Sequence, residues 1–110
     1  MKARIRRVGT SAVVKLSGKI VIGSGNEELE EVVAEQLEGG AGRIVLDLER
    51  VSYIDSSGLG SMVACRRAAS ERGVEVVLLR PAGKVADLLA LSGLEEVFPI
   101  FHDEAEALAG

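Results

Sequence analysis

Two short apolar runs separated by a helical stretch constrain the fold of this chain most. Residues 43–48 (Arg-Ile-Val-Leu-Asp-Leu) and 74–79 (Val-Glu-Val-Val-Leu-Leu) have the length and branched side chains of strands buried inside a sheet. Residues 56–72 lie between them, carry apolar side chains at helical spacing, and are followed by Gly73. A strand, a crossover helix and a second strand form a parallel pair. The sequence therefore predicts an α/β fold.

The remaining segments complete one sheet with helices packed on it. Residues 2–8 and 12–20 alternate polar and apolar side chains around Gly9-Thr10, which predicts an N-terminal hairpin. Three later elements are a helix, an edge strand interrupted by Pro99 and a terminal helix capped by Asp103; they are predicted over residues 84–91, 97–101 and 103–108. We expect one domain over residues 1–110, with a single mixed sheet and a parallel centre.

The two longer helices have start signals and apolar faces. Ser24 and Glu27 form a capping box, so a helix is predicted from there to Gly39-Gly40. The residues predicted to face the core are Leu29, Val32, Val33 and Leu37 in this helix, and Leu59, Met62, Val63 and Ala69 in the next.

Composition excludes several classes of function. The chain has one Cys, one His and three aromatic residues, so no disulfide, metal site or cofactor is predicted. A net charge of −4 disfavours nucleic acid. No apolar stretch approaches the ~20 residues of a membrane span, and the basic start is not followed by the apolar run of a signal peptide. We expect a soluble, cytoplasmic protein.

Charge is distributed unevenly along the chain. Residues 1–26 carry six basic residues and no acid, whereas residues 27–110 carry seven basic and 17 acidic residues. Lys2, Arg4 and Arg6 alternate with apolar neighbours at the period of a strand. This pattern indicates either a solvated strand face or a patch for an acidic partner.

The segment Asp55-Ser56-Ser57-Gly58-Leu59-Gly60 carries the clearest chemical signal. It lies where a strand passes into a helix, so its first N–H groups lack intrahelical partners. Asp55 and Ser56 are good N-cap residues. The positive end of the helix dipole favours a phosphate added to a hydroxyl at this position. Gly58 and Gly60 are expected to keep the outer face of the helix start open for a close contact.

Enzyme chemistry fits this segment poorly. The Gly-x-Ser-x-Gly pattern of a serine nucleophile is absent, and the third glycine of a dinucleotide-binding loop is missing. His102 is the sole histidine available as a base, and Cys65 is predicted to be a packed helical thiol. The chain is therefore predicted not to be an enzyme.

The motifs together resemble the STAS domain family, in particular bacterial anti-sigma factor antagonists. The resemblance rests on Ile54 to Gly60, with support from Leu16-Ser-Gly18, Ile44 to Leu48 and Leu89 to Leu94. It implies a protein that binds an anti-sigma factor, which is also a serine kinase with a histidine-kinase-like ATPase fold. Binding frees a sigma factor, phosphorylation breaks the complex, and a PP2C-type phosphatase restores it.

The resemblance also implies roles for particular residues. Ser56 matches the phosphorylated serine, and Asp55, Ser57, Gly58 and Leu59 match the partner-binding surface. Relatives commonly have Gly-Glu-Leu-Asp where this chain has Gly-Lys-Ile-Val at 18–21, so Val21 replaces an acid. The complete Asp-Ser-Ser-Gly motif favours the switch. Val21 favours an alternative, a STAS module that binds without phosphorylation, such as a lipid-transport subunit or a stress-signalling scaffold.

Overall fold

A five-stranded sheet forms the centre of the molecule. The computed structural model describes residues 1–110. The strands are β1 (Lys2–Val8), β2 (Ser11–Ile20), β3 (Arg43–Ile54), β4 (Glu75–Leu79) and β5 (Ile100–Phe101). They lie side by side in chain order, β1 antiparallel to β2 and all other neighbours parallel. The predicted mixed sheet with a parallel centre and an N-terminal hairpin is confirmed.

Helices cover the two faces of the sheet unequally. The helices are α1 (Asn26–Glu38), α2 (Ser56–Ser70), α3 (Gly83–Leu91) and α4 (Glu104–Ala109). The larger core joins α1, α2 and α3 to one face, on which Ala12, Val14 and Leu16 of β2 are buried. On the other face Val13 packs in a smaller core with Ala107 of α4, while Lys15 stays exposed. The short α4 therefore leaves part of its face of the sheet uncovered.

The edge strand β5 is shorter than the prediction of residues 97–101. A 3-10 turn occupies Leu94–Glu96, and Phe98 is buried in the larger core before the strand begins. Proline has no backbone N–H to donate. The Pro99 carbonyl nevertheless accepts a hydrogen bond from the N–H of Leu78, at 2.9 Å. The predicted edge position is confirmed, and the burial of Phe98 limits β5 to its last two residues.

The capping box predicted for α1 is wrong. Gly25 is the N-cap, with a φ of 102°, and no side chain caps the helix. Ser24 instead exchanges two backbone hydrogen bonds with Val21, at 2.9 and 3.0 Å. A Cβ on Gly25 would lie 2.7 Å from the carbonyl oxygen of Lys19. The close approach of this turn to the end of β2 therefore requires glycine at the helix start.

The buried face of α2 differs from the prediction. Met62 and Ala69 are buried as expected, but Leu59 and Val63 are only half-buried. The other buried positions carry small side chains; they are Gly58, Ser61 and Cys65. Small residues allow α2 to lie close to its neighbours: Ser61 donates a hydrogen bond to Glu30 of α1 at 2.7 Å. Small residues therefore occupy most of the inward face of α2, and Leu59 packs at the margin of the larger core.

Cys65 is predicted to be unreactive in the folded protein. Burial, and secondly the charge of Glu30, raise the pKa of the thiol from 9.0 to about 12. This shift lowers the thiolate fraction at pH 8 by roughly a thousandfold. A thiol reagent such as DTNB should therefore label Cys65 only after unfolding in guanidinium. Rapid labelling of the native protein would show instead that α1 and α2 separate readily.

Candidate functional site

The candidate site lies where two parallel strands end at the same edge of the sheet. Ile20, the last residue of β2, pairs with Ile54, the last residue of β3. The loop leading to α1 and the junction leading to α2 therefore lie side by side. The N–H of Asp55 donates to the Ile20 carbonyl at 3.3 Å, which joins the two directly.

Asp55 holds the α2 start and the neighbouring loop together. It is the N-cap of α2, and its carboxylate accepts a hydrogen bond from the N–H of Gly58 at 2.8 Å. Its second oxygen accepts from the N–H of Ile22, at 3.0 Å. The Ile22 and Gly58 donors lower the pKa of this carboxyl below its ordinary value of 3.8. The predicted N-cap is confirmed, and it also organises a loop 33 residues earlier in the chain.

The two serines differ in exposure. Ser56 is exposed, and neither its hydroxyl nor its backbone N–H makes a hydrogen bond, whereas Ser57 is half-buried. Two later N–H groups are occupied, because Gly58 donates to the Asp55 carboxylate and Leu59 to the Asp55 carbonyl. The site thus presents an unbonded hydroxyl beside a free N–H at the positive end of a 15-residue helix.

The two glycines of the motif have different roles. Gly58 is buried, and a Cβ there would lie 2.2 Å from the Ile20 carbonyl oxygen and 2.7 Å from Cγ2 of Ile54. The expectation that Gly58 opens the outer face of α2 is therefore wrong, because it contacts the chain's own strands. Gly60 is exposed with nothing within 4 Å of a Cβ, so it does leave the outer face open.

An exposed isoleucine completes the rim of the site. The reciprocal hydrogen bonds of Val21 and Ser24 place Ile22 in a tight turn beside Asp55, with 72% of its surface exposed. Leu59 is half-buried on α2. The sequence analysis did not identify Ile22, because an apolar residue next to a strand is expected to be buried. The one sequence feature that indicates its exposure is Gly23, which predicts a turn.

Other reactive residues lie elsewhere. His102 is exposed after β5, which is separated from β3 by β4 in the sheet. Cys65 is buried, as predicted. The surface hollows, of about 340 to 530 Å³, are lined by residues other than 55–59. No helix is long and apolar enough to cross a bilayer. The candidate site is therefore a surface patch at a helix start.

The arrangement of a strand, Asp-Ser-Ser-Gly and a helix agrees with known proteins. The model of the STAS domain matches residues 2–107. The chain belongs to the STAS domain family. It is 31% identical over 110 residues to BtrV of Bordetella bronchiseptica, named as an anti-sigma factor antagonist, with 99% of this chain and 93% of that protein covered. The predicted family is confirmed.

Solved structures agree with the fold of this STAS domain. The crystal structure of a Thermotoga maritima protein, described as an anti-sigma factor antagonist, superposes with a TM-score of 0.88 at 25% identity, covering 97% of this chain and 92% of that one. Phosphorylated SpoIIAA of Bacillus superposes with a TM-score of 0.75 at 23% identity, covering 98% and 97%. The likeness to SpoIIAA shows the shared fold.

Gly58→Ala is predicted to destabilise this STAS domain, whereas Gly60→Ala is not. The first Cβ would overlap backbone atoms of β2, and overpacking of this kind costs roughly 1–3 kcal/mol or more. The second meets open space and gains up to ~1 kcal/mol of helix propensity. Urea unfolding of the matched pair measures both effects. Equal stabilities would contradict the close seating of α2 on β2.

Asp55→Asn is predicted to lower the Tm in a pH-dependent way. The amide offers one acceptor where two N–H donors need two, so the variant should melt lower at pH 7. A lowered folded-state pKa gives stability that is present above the unfolded value of 3.8 and is lost as pH falls through the folded value. The Tm difference from wild type should therefore shrink below pH 3.8. Asp87→Asn, at an exposed position on α3, is the control. A difference independent of pH would argue against the two bonds.

Proposed function

We propose that this STAS domain is an anti-sigma factor antagonist whose binding surface is the start of α2, and that phosphorylation of Ser56 switches binding off. The observation that carries this proposal is the exposed, unbonded Ser56 hydroxyl directly after the Asp55 N-cap. Related proteins named as anti-sigma factor antagonists support the class of partner. The protein would act by binding rather than catalysis, in the cytoplasm, where sigma factors work.

Ser56 is the better phosphate acceptor of the two serines. Its hydroxyl is accessible to a kinase, whereas the half-buried Ser57 would have to move out of its packing. In the transfer, Oγ of Ser56 bonds to the γ-phosphorus of ATP, the hydroxyl proton passes to a base of the kinase, and ADP departs as the bond from the γ-phosphorus to its bridging oxygen breaks. The partner kinase of the histidine-kinase-like ATPase fold would supply the ATP. A PP2C-type phosphatase would return the serine by hydrolysis.

The helix start can hold the phosphate without unfolding. A phosphoserine carries about −1.5 to −2 charges, and the positive end of a helix dipole favours a negative group. The Ser56 N–H is free to donate to a phosphate oxygen. Phosphorylation is therefore expected to change the surface of the domain and leave its fold intact.

The same phosphate opposes partner binding. Two backbone donors keep Asp55 ionised, so its carboxylate and the phosphate on Ser56 would be neighbouring negative groups. Ile22 and Leu59 supply the apolar part of the surface, and a dianion beside them would have to lose water on contact. Like charge at an interface costs several kcal/mol. The modified domain should therefore release its partner.

A second candidate, a STAS module that binds without phosphorylation, is favoured by the turn next to the site. Val21 stands where relatives commonly carry an acid, and with the exposed Ile22 it makes this side of the surface apolar. An apolar contact of this kind can support binding with no charge switch. The two candidates share a surface and differ in whether Ser56 is modified.

Variants of Ser56 separate the two candidates. Ser56→Ala should bind the cognate anti-sigma kinase and resist release by ATP. Ser56→Asp should fold normally yet bind at least about tenfold more weakly, which corresponds to ~1.4 kcal/mol. Calorimetry with the kinase measures the affinities, and circular dichroism checks the fold.

Ser57→Ala is the matched control, because it removes a neighbouring hydroxyl and should still accept phosphate. Mass spectrometry after incubation with the kinase and ATP should find one phosphate, on Ser56. Phosphate on Ser57 alone would contradict the assignment. An unmodified protein that still binds the kinase would support the second candidate.

A further inference from the structure

The outer edge of β1 is an unpartnered sheet edge. β1 pairs with β2 on one side, and no strand pairs with it on the other. An edge of this kind leaves backbone N–H and C=O groups free to pair with another extended chain. Lys2, Arg4 and Arg6 alternate along it and are all exposed. Positive charge disfavours the pairing of two copies of this edge with each other, and it attracts a strand of opposite charge.

A basic groove lies beside this edge, on the face of the sheet that α4 leaves uncovered. Its volume is about 530 Å³, and its charged lining consists of Lys2, Arg4, Lys15 and Arg50. The strand register places Arg4 opposite Lys15, and Ser17 between Lys2 and Arg50. None of the four cations forms a salt bridge within the chain, whereas the nearby Arg6 pairs with Glu104. The groove thus brings together four cations that form no salt bridge, although the register places Lys15 opposite Asp47.

We propose that β1 binds an extended acidic segment of a partner protein, which adds a strand to the sheet and places its carboxylates beside Lys2 and Arg4, at the near side of this groove. Alternation within the strand defines the segment further. Lys2 and Arg4 point to the groove, whereas Ala3 and Ile5 point to the opposite face, where Ile5 is 42% exposed. The complementary segment therefore alternates acidic and apolar residues.

The spread of the charges favours a peptide over a small anion. Lys2, Arg4 and Arg6 follow one another along an unpaired strand edge, and this row matches the repeat of an extended chain better than one compact anion. A second copy of this chain is also a poor occupant. Six of its 17 acids lie in the helix α1, and its one strand segment that alternates acidic and apolar residues, Leu46 to Glu49 of β3, is already paired on both sides. The site is separate from Ser56, so it does not depend on the switch.

Peptides test the inference directly. The probe is a fluorescein-labelled peptide of four Glu alternating with three Val, and its control has the same composition with the four Glu in one block. Fluorescence anisotropy should give a Kd at least about tenfold lower for the alternating peptide, because only this peptide matches the pleat. Binding should weaken as salt rises. Amide NMR shifts should concentrate in residues 2–8.

Charge reversal on the protein provides the second measurement. Lys2→Glu with Arg4→Glu should weaken the alternating peptide by about tenfold or more. Arg66→Glu with Arg67→Glu makes the same charge change at exposed positions of α2 and should change the Kd less than about twofold. Circular dichroism checks both folds, and the wild-type peptide comparison stands if a variant fails to fold. Equal binding of the two peptides, or equal loss in the two variants, would overturn the inference. So would phosphate or phosphatidylglycerol vesicles binding β1 in place of the peptide.

Discussion

The close seating of α2 on the end of β2 is the contact on which the rest of the site depends. Gly58 brings the helix so near to the Ile20 carbonyl that no side chain fits between them. This approach places Asp55 within reach of both the helix start and the loop before α1, where it accepts two backbone hydrogen bonds. Removing either residue would therefore disturb two segments that are distant in the sequence. Asp55 and Gly58 thus make contacts within the domain, whereas Ser56 between them is exposed to solvent.

Neighbouring residues of the motif have different roles. Asp55 satisfies the Gly58 and Ile22 donors, so the exposed Ser56 next to it is left with an unbonded hydroxyl and N–H. A negative group added to Ser56 would be stabilised by the dipole of α2 and would lie beside the negative charge of Asp55. Under the proposed switch, the fold would tolerate the phosphate while a partner surface would not. A switch that acts on binding without unfolding needs both properties.

Much of the architecture could be predicted from local patterns. The apolar runs of β3 and β4, the alternation of the hairpin and the Asp103 cap of α4 are confirmed, because each depends on neighbouring residues. The errors occur where distant segments meet. The start of α1 at Gly25 is decided by the approach to β2, and the inward face of α2 by its contact with α1.

The candidate site divides in the same way. The sequence alone determined that Asp55 caps a helix and that a serine follows it at the positive end, because capping and the helix dipole are properties of a few consecutive residues. Only the tertiary structure decided that Gly58 faces the strands, that Ile22 stands at the rim, and that Lys2, Arg4, Lys15 and Arg50 share one groove. Each of these depends on which strands are neighbours and in what register, and strand register joins residues that are far apart in the chain.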